Sequence, residues 1–493
     1  MQSVLAIDSG TTGATCLVIG ADGRVLGRGY REIPQHNPEP GRVEHEPFDI
    51  QRGTLDAARD ALKMCGVTPT TIGITNQRET LVLWNRHTSE PVGRAIVWQD
   101  RRTAARCIAL VPHAEDIATR TGLLPDPYFS ATKLEWLLAH EHLSRMATDG
   151  SLAAGTVDSW LIWNLTGGAV HATDPTNASR TMLYDIREHV WSDHLLALFD
   201  VPRALLPEVR ASSSDFGVAL GTLLGLATDI PIHGVAGDQQ AALFGQGCWE
   251  SGQGKNTYGT GAFLLLNTGS EIGAPGGGLL TTVACNATGG PAYALEGAIF
   301  VAGAAVQWLR DGLGIIASAP ETQSLASEIT SNAGVYFVPA LTGLGAPHWE
   351  PEARGTIVGL TRGTTRAHLA RAALESMAYA TADVLDVMQA RGRCTFARLR
   401  VDGGATENEW LMQFQADVLG VPVERPEMAE ITALGAAGLA GIAAGVWPTA
   451  QAFLGTRKFR SYVPGPKAAD ARAARAGWAR AVRATLSWAR DGE

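Results

Sequence analysis

The stretch Ile232-His233-Gly234-Val235-Ala236-Gly237-Asp238-Gln239-Gln240, continued by Asn256-Thr257-Tyr258-Gly259-Thr260-Gly261-Ala262-Phe263-Leu264-Leu265-Leu266, decides how the rest of the chain is read. Ile232 to Ala236 is a short apolar run that predicts a strand ending in Gly237-Asp238, and helical spacing follows from Gln239 to Gly245. A carboxylate at that point stands at the carboxyl edge of a sheet, where open α/β sheets bind ligands. Gly259-Thr260-Gly261, between two short strands, exposes backbone N–H groups and a hydroxyl, which suits phosphate oxygens. A proton acceptor and a phosphate cradle are therefore near neighbours at mid-chain. The residues alone leave a second reading open, in which Asp238 is only a helix N-cap, a position Asp favours, and the glycines are only turns.

Outward from this stretch, the two halves of the chain follow one plan. Val4 to Asp8 reads as a buried strand, Ser9-Gly10-Thr11-Thr12-Gly13 as a turn, and Thr15 to Ile19 as the returning strand; Asp22-Gly23 is a further hairpin signal. Phe48 to Lys63 has helical spacing, Thr71 to Thr75 and Leu81 to Trp84 read as strands around the polar corner Asn76-Gln77-Arg78-Glu79, and Ala95 to Trp98 is strand-like. Ala131 to His140 reads as helix. In the second half, Thr260-Gly261 occupies a hairpin turn as Thr11-Thr12 does in the first. Ala302-Gly303-Ala304 precedes a helix at Val306 to Leu309, and a long helix spans about Thr365 to Gln389. Leu399 to Asp402 is a strand closed by Gly403-Gly404, with a helix from Glu407 onward. Thr432 to Ala444 is a helix of small residues, and Lys467 to Arg490 a helix with Trp478, Val482, Leu486 and Ala489 on one face. This plan predicts an α/β protein of two similar domains around one cleft. Residues 1–248, with the first Gly/Thr loop, and residues 249–493, with the C-terminal helix, are the two expected domains.

Composition narrows the function classes. The 493 residues are 45% hydrophobic and 18% charged, with a formal charge of −9, which argues against a nucleic-acid or anionic-membrane surface. The six cysteines are scattered without a Cys-x-x-Cys pair, so a metal cluster or disulfide framework is not expected. The N-terminus runs into a strand without a basic and apolar leader pattern, and the small-residue helix is too short to span a bilayer. A cytoplasmic homo-oligomer, dimer or tetramer, with no membrane insertion, is expected.

Neither a Gly-x4-Gly-Lys-Ser/Thr loop nor a Gly-x-Gly-x-x-Gly turn after a strand occurs, which removes the P-loop and dinucleotide readings. What remains is a distributed set: Asp8 with Gly10-Thr11-Thr12, Thr260-Gly261, and Asp402-Gly403-Gly404. A carboxylate beside a Gly/Thr turn suits Mg²⁺ and phosphate, since Mg²⁺ keeps most of its waters and needs one or two carboxylates. Arg78-Glu79 could donate to and accept from vicinal hydroxyls, or be a surface ion pair. Trp98 and Tyr128 could cover the C–H side of a polyol, or be core.

Longer motifs carry a resemblance. Gly73-Ile74-Thr75-Asn76-Gln77-Arg78-Glu79-Thr80, Ile96-Val97-Trp98-Gln99, Asp126-Pro127-Tyr128-Phe129-Ser130, Gly237-Asp238-Gln239-Gln240, Asn256 to Gly261 and Val401 to Gly404 occur in one order along nearly the whole chain. Together they resemble the FGGY carbohydrate kinases, and among these the members that act on glycerol. The resemblance implies a pair of actin-like, ribonuclease-H-like domains that close over ATP and pass its γ-phosphate to a terminal hydroxyl of glycerol, with Mg²⁺. It implies that Asp238 is the base, and that Arg78, Glu79, Tyr128, Asp238 and Gln239 hold the glycerol hydroxyls. It further implies that Trp98 and Phe263 form an apolar wall and that Asp8 holds the metal. Thr11, Thr12, Gly13, Thr260, Gly303, Gln307, Gly404 and Asn408 would contact the nucleotide. Two departures stand out. Relatives acting on glycerol usually read Asp-Gln-Gly-Thr-Thr-Ser in the first loop with an Arg two residues beyond, where this chain has Ser9, Gly13 and Thr15. Some carry Gly-Gly-Thr-Arg and bind fructose 1,6-bisphosphate where this chain has Leu226-Ala227-Thr228-Asp229. A kinase for another small polyol or ketose, and a catalytically idle sugar sensor, are the competing expectations.

Overall fold

The computed structural model describes residues 2–139, 141–274 and 276–490. His140, the last residue of one expected helix, lies outside the described residues, as do the terminal residues Met1 and 491–493 of the two expected domains. The chain packs as two units, one of Met1–Trp249, Thr281–Tyr293 and Glu430–Arg457, the other of Glu250–Leu280, Ala294–Ala429 and Lys458–Glu493.

The first unit is built on strands β1 (Ser3–Ser9), β2 (Gly13–Gly20), β3 (Val25–Glu32), β4 (Thr71–Asn76) and β5 (Ile230–Gly237), in spatial order β5-β4-β1-β2-β3. β1, β2 and β3 form an antiparallel meander, and β4 and β5 run parallel to β1. The parallel step requires a crossover, supplied by the helix Pro47–Cys65, whose Ala57, Ala58 and Ala61 are fully buried. Register brings Asp8 level with Thr75, and Thr75 level with Ala236. The carboxyl ends of three adjacent strands therefore share one edge, and β5 passes at Gly237 into the helix Asp238–Gly245.

The second unit repeats the order. Strands β6 (Gln253–Tyr258), β7 (Ala262–Gly269), β8 (Pro291–Ile299), β9 (Arg398–Asp402), β10 (Val423–Pro426) and β11 (Phe459–Tyr462) run β8-β7-β6-β9-β10-β11 across its sheet. β7 is antiparallel to β6, while β9 is parallel to β6 and β10 to β9. Each unit thus carries an antiparallel hairpin joined to parallel strands, as the Thr/Gly hairpin turns predict. The long helix Arg366–Gly392, opened by a Thr365 and His368 capping box, buries Leu374, Met377, Leu385 and Met388 in this unit's core.

Three expectations need correction. The expected second domain, 249–493, does not pack as one piece, because the small-residue helix Ile431–Ala443 belongs to the first unit. Its backbone lies against β4 and the helix Asp238–Gly245. A Cβ on Gly73 would come within 2.2 Å of the Ala436 carbonyl oxygen, and one on Gly435 would overlap the Ala241 carbonyl. The strand expected at Ala95 to Trp98 is only Ala95–Ile96, so Trp98 sits on the turn beyond it. The helix expected at Val306 to Leu309 instead starts at Gly303, runs to Gln307 and widens into a π turn over Trp308–Gly312.

Candidate active site

At the carboxyl edge of the first sheet, Arg78 and Glu79 form the corner after β4. Both are buried, Arg78 at 3% and Glu79 at 1% exposure, which rules out a surface ion pair. Glu79 holds the left-handed φ of 62°, and its carbonyl accepts from the Ser130 hydroxyl at 2.8 Å. Arg78 Nε lies 3.2 Å from Asp238 Oδ1 and 3.8 Å from Glu79 Oε1, and its guanidinium donates to Gln240 Oε1 at 3.2 Å. Asp238 is the first residue of its helix and not the N-cap, which is Gly237; its Oδ1 accepts from the Gln239 N–H at 2.6 Å. The N-cap reading is therefore set aside. The Asp238 side chain is 32% exposed, so the carboxylate is both anchored by a buried guanidinium and reachable by a ligand.

Two aromatic rings stand at this corner. Trp98 and Tyr128 meet edge to face, with centroids 5.5 Å apart at 81°, and both are half-buried. Trp98 Nε1 donates to the Thr11 hydroxyl at 2.9 Å, tying the ring to the turn between β1 and β2. That turn is closed by Gly10 N–H to the Gly13 carbonyl, and Gln77 Nε2 donates to the Gly10 carbonyl. Thr11 is half-buried and Thr12 exposed.

Asp8, near the end of β1, faces Thr15 across the β1–β2 ladder. Burial first, then the charge of Asp238, pushes its carboxyl up to about 7. Its carboxylate makes no hydrogen bond or ion pair among the described residues. Nor do three or more His, Cys, Asp or Glu cluster there as a metal centre. A half-buried carboxylate with a second one nearby suits a hydrated Mg²⁺, which takes one or two carboxylates and completes its shell with water and phosphate.

Two cations that the sequence reading did not single out back this corner. Arg180, fully buried, donates from Nε to Glu79 Oε1 at 2.6 Å. Lys133, also fully buried, donates from Nζ to the carbonyls of Val97 at 2.9 Å and Tyr128 at 3.2 Å. Burial lowers the Lys133 pKa to about 7, opposed by the charges of Glu79, Asp100 and Asp126.

In the second unit, Thr260, Gly303, Gln307, Gly404 and Asn408 line one cavity of about 670 Å³, within the size range of small-ligand sites. The cavity sits at the carboxyl edge of β6 and β9, where Thr257 and Asp402 are in register. Gly303 N–H donates to the Gly259 carbonyl at 3.0 Å, joining the Gly-Thr-Gly turn to the next helix. Gly403 has φ of 93°, and a Cβ there would lie 2.1 Å from the Tyr258 carbonyl oxygen, so only glycine lets the two turns approach. Asn408 caps the helix Glu409–Leu419 through Leu411 N–H and donates to Thr322 at 3.2 Å. Arg310 and Gln323 also line this cavity. Phe263 is half-buried at the start of β7, in register with Thr257, and is not among the cavity's lining residues.

Known proteins resemble this chain over nearly its whole length. Residues 3–245 match the N-terminal domain, and residues 254–444 the C-terminal domain, of the FGGY family of carbohydrate kinases. A glycerol kinase of Polaromonas naphthalenivorans is 52% identical over 497 residues, covering 99% of this chain and 100% of its own length. One of Acidovorax ebreus is 53% identical over 493 residues, covering 98% and 99%. The crystal structure of Plasmodium falciparum glycerol kinase with ADP superposes with a TM-score of 0.94 at 34% identity, over 99% of this chain and 98% of the other.

Proposed function

The chain belongs to the FGGY family of carbohydrate kinases, and from that premise we propose that it transfers the γ-phosphate of ATP to a terminal hydroxyl of glycerol, giving ADP and sn-glycerol 3-phosphate. One observation supports the acceptor assignment most directly. Asp238, partly exposed at the carboxyl end of β5, is ion-paired to buried Arg78 in a corner it shares with Glu79, Trp98 and Tyr128.

Phosphoryl transfer asks a protein mainly to position the reactants and neutralise charge. In this reading Arg78 donates to one glycerol hydroxyl, Glu79 accepts from another, and Gln239 and Tyr128 complete the polar contacts. Trp98 and Phe263 cover the carbon chain. Asp238 accepts the proton of the attacking hydroxyl as the bond to phosphorus forms. Thr11, Thr12 and Gly13 of the first loop, with Thr260, Gly303, Gln307, Gly404 and Asn408, contact ATP through N–H groups and side-chain dipoles. Asp8 would hold Mg²⁺, which would supply positive charge to offset that of the phosphate oxygens.

A cytoplasmic homo-oligomer, dimer or tetramer, is part of the proposal. Six free thiols fit a reducing compartment, and sedimentation velocity tests the assembly. Among the described residues no helix is long and apolar enough to cross a membrane.

The test is ADP release with and without Mg²⁺ over a panel of glycerol, erythritol, a pentulose and no acceptor. Glycerol should give the highest kcat/KM, and only with Mg²⁺. A preference for the pentulose, or no turnover on any acceptor, overturns the reading.

A further inference from the structure

Arg180 lies 101 residues from Glu79 in sequence, yet its Nε reaches Glu79 Oε1 at 2.6 Å with neither side chain more than 2% exposed. The turn that carries it is rigid. Asp174 caps the short helix Pro175–Ala178 by accepting from the N–H groups of Thr176 and Asn177, and Arg180 N–H donates to the Asn177 carbonyl at 3.0 Å. Asn177 and Asn76 exchange side-chain hydrogen bonds of 3.0 and 3.2 Å, so the turn is fastened to the end of β4, two residues before Arg78. The guanidinium carbon sits 5.4 Å from the Tyr128 ring centroid and 5.2 Å from that of Phe129. One side chain therefore touches both a carboxylate and an aromatic ring of the acceptor corner. A guanidinium can do both at once, because it is planar, permanently charged and stacks on aromatic faces.

We propose that Arg180 is a positioning residue for the acceptor corner: it aims the Glu79 carboxylate and supports the Tyr128 ring, and so sets glycerol affinity without touching the nucleotide. This rests on the reading of Glu79 and Tyr128 as glycerol contacts. Glu79 needs such a partner because its backbone is held at a φ rare for a residue with a Cβ. Its carboxylate is buried beside Arg78, which is itself engaged by Asp238 and Gln240. Without Arg180, the carboxylate would lose a 2.6 Å charged contact and could turn toward Arg78, away from an incoming hydroxyl.

The experiment compares Arg180→Lys, Glu79→Gln and the double variant Glu79→Gln/Arg180→Gln in glycerol KM, kcat and ADP affinity by titration. Misplacement of a contact by about 1 Å is worth on the order of 10²-fold. Arg180→Lys, which keeps the charge but loses the planar fork, should raise glycerol KM by about that factor with ADP affinity unchanged. The double variant leaves no uncompensated buried charge, so it folds even if removing one partner does not allow it. Its glycerol KM should exceed that of Glu79→Gln by far less than the factor Arg180→Lys gives alone, because most of the effect of Arg180 passes through Glu79 and only the remainder through the Tyr128 ring. An unchanged glycerol KM in Arg180→Lys, a loss of ADP affinity in step with glycerol affinity, or a double variant whose effects multiply, each overturns the proposal. If Glu79→Gln raises glycerol KM and Arg180→Lys does not, only the role of Arg180 falls. If Glu79→Gln itself has no effect, the acceptor assignment falls with it.

Discussion

The indole N–H of Trp98 is hydrogen-bonded to the hydroxyl of Thr11 at 2.9 Å. A ring assigned to the acceptor is thereby joined to a turn assigned to phosphate. Trp98→Phe keeps an aromatic wall and deletes the donor, so its effect separates the two roles. A neutral hydrogen bond is worth about 0.5–1.5 kcal/mol net, which corresponds to roughly a 2–10-fold change. The expected result is a rise of that size in KM for ATP with a smaller change in KM for glycerol. Steady-state kinetics with each substrate varied in turn checks it, and Thr11→Ala, which also removes the hydroxyl proposed to meet the phosphates, should raise KM for ATP by at least as much. A change confined to glycerol would make Trp98 a wall and nothing more.

The parts of the candidate sites in each unit that were legible from sequence are those carried by short-range chemistry. Gly237-Asp238 at a strand end, Gly259-Thr260-Gly261 between two strands and Asp402-Gly403-Gly404 after another each announce a turn at a sheet edge. All three stand at the carboxyl ends of β5, β6 and β9. Arg180 and Lys133 were not legible. An Arg two residues past a helical turn and a Lys in the first turns of a helix look like solvated charges, since such residues are seldom fully buried. Only the tertiary fold puts Arg180 on Glu79 and Lys133 on the Val97 and Tyr128 carbonyls. The placement of Ile431–Ala443 was hidden for a similar reason. Its Ala and Gly content shows that something packs closely on it, but not that its partners are Gly73 and Ala241, far earlier in the chain.

Lys133 makes stability depend on pH. Its pKa is lowered from 10.5 to about 7, by burial first, against the favourable charges of Glu79, Asp100 and Asp126 and with Arg102 adding to the depression. Between those two values the unfolded chain binds a proton that the folded chain does not, so unfolding free energy rises as pH increases from about 7 toward 10.5. Each unit of displacement is worth about 1.4 kcal/mol. Urea midpoints measured from pH 7 to pH 9.5 should therefore rise more steeply for the parent than for Lys133→Met. Equal slopes would show that Lys133 is charged in the folded protein throughout that range.

Asp229 bears on regulation. Its carboxylate accepts from the Gly221 N–H at 2.8 Å, closing the turn after the short helix Gly221–Leu224. A sugar bisphosphate needs cations, and a fixed carboxylate at this position repels it. Fructose 1,6-bisphosphate at millimolar concentration should leave the glycerol-dependent rate unchanged. Dose-dependent inhibition, lost in an Asp229→Lys variant or not, would show that a phosphate-binding surface survives without the Arg.

Asp238 separates an enzyme from a binding protein with the same fold. Its carboxylate is held by Arg78 Nε at 3.2 Å and by its neighbour's N–H at 2.6 Å, while about a third of the side chain remains open. Those contacts orient it without using up its capacity to accept a proton from an acceptor hydroxyl. Asp238→Asn keeps the size and one hydrogen-bond acceptor but removes the basicity. Losing a general base lowers turnover by about 10²–10⁴-fold, and kcat should fall within that range. The cavity proposed for the nucleotide is lined by residues from Tyr258 to Asn408 and does not include Asp238, so ADP affinity should stay the same. The variant loses the Asp238 charge that helps raise the Asp8 pKa, so Asp8 should ionise at lower pH. The Mg²⁺ requirement of the residual activity should then shift toward lower pH as well. Single-turnover rates as a function of pH, with nucleotide titration on the same preparation, check all three. Near-normal turnover would leave Asp238 as an ion-pair partner of Arg78, and the proton would need another acceptor.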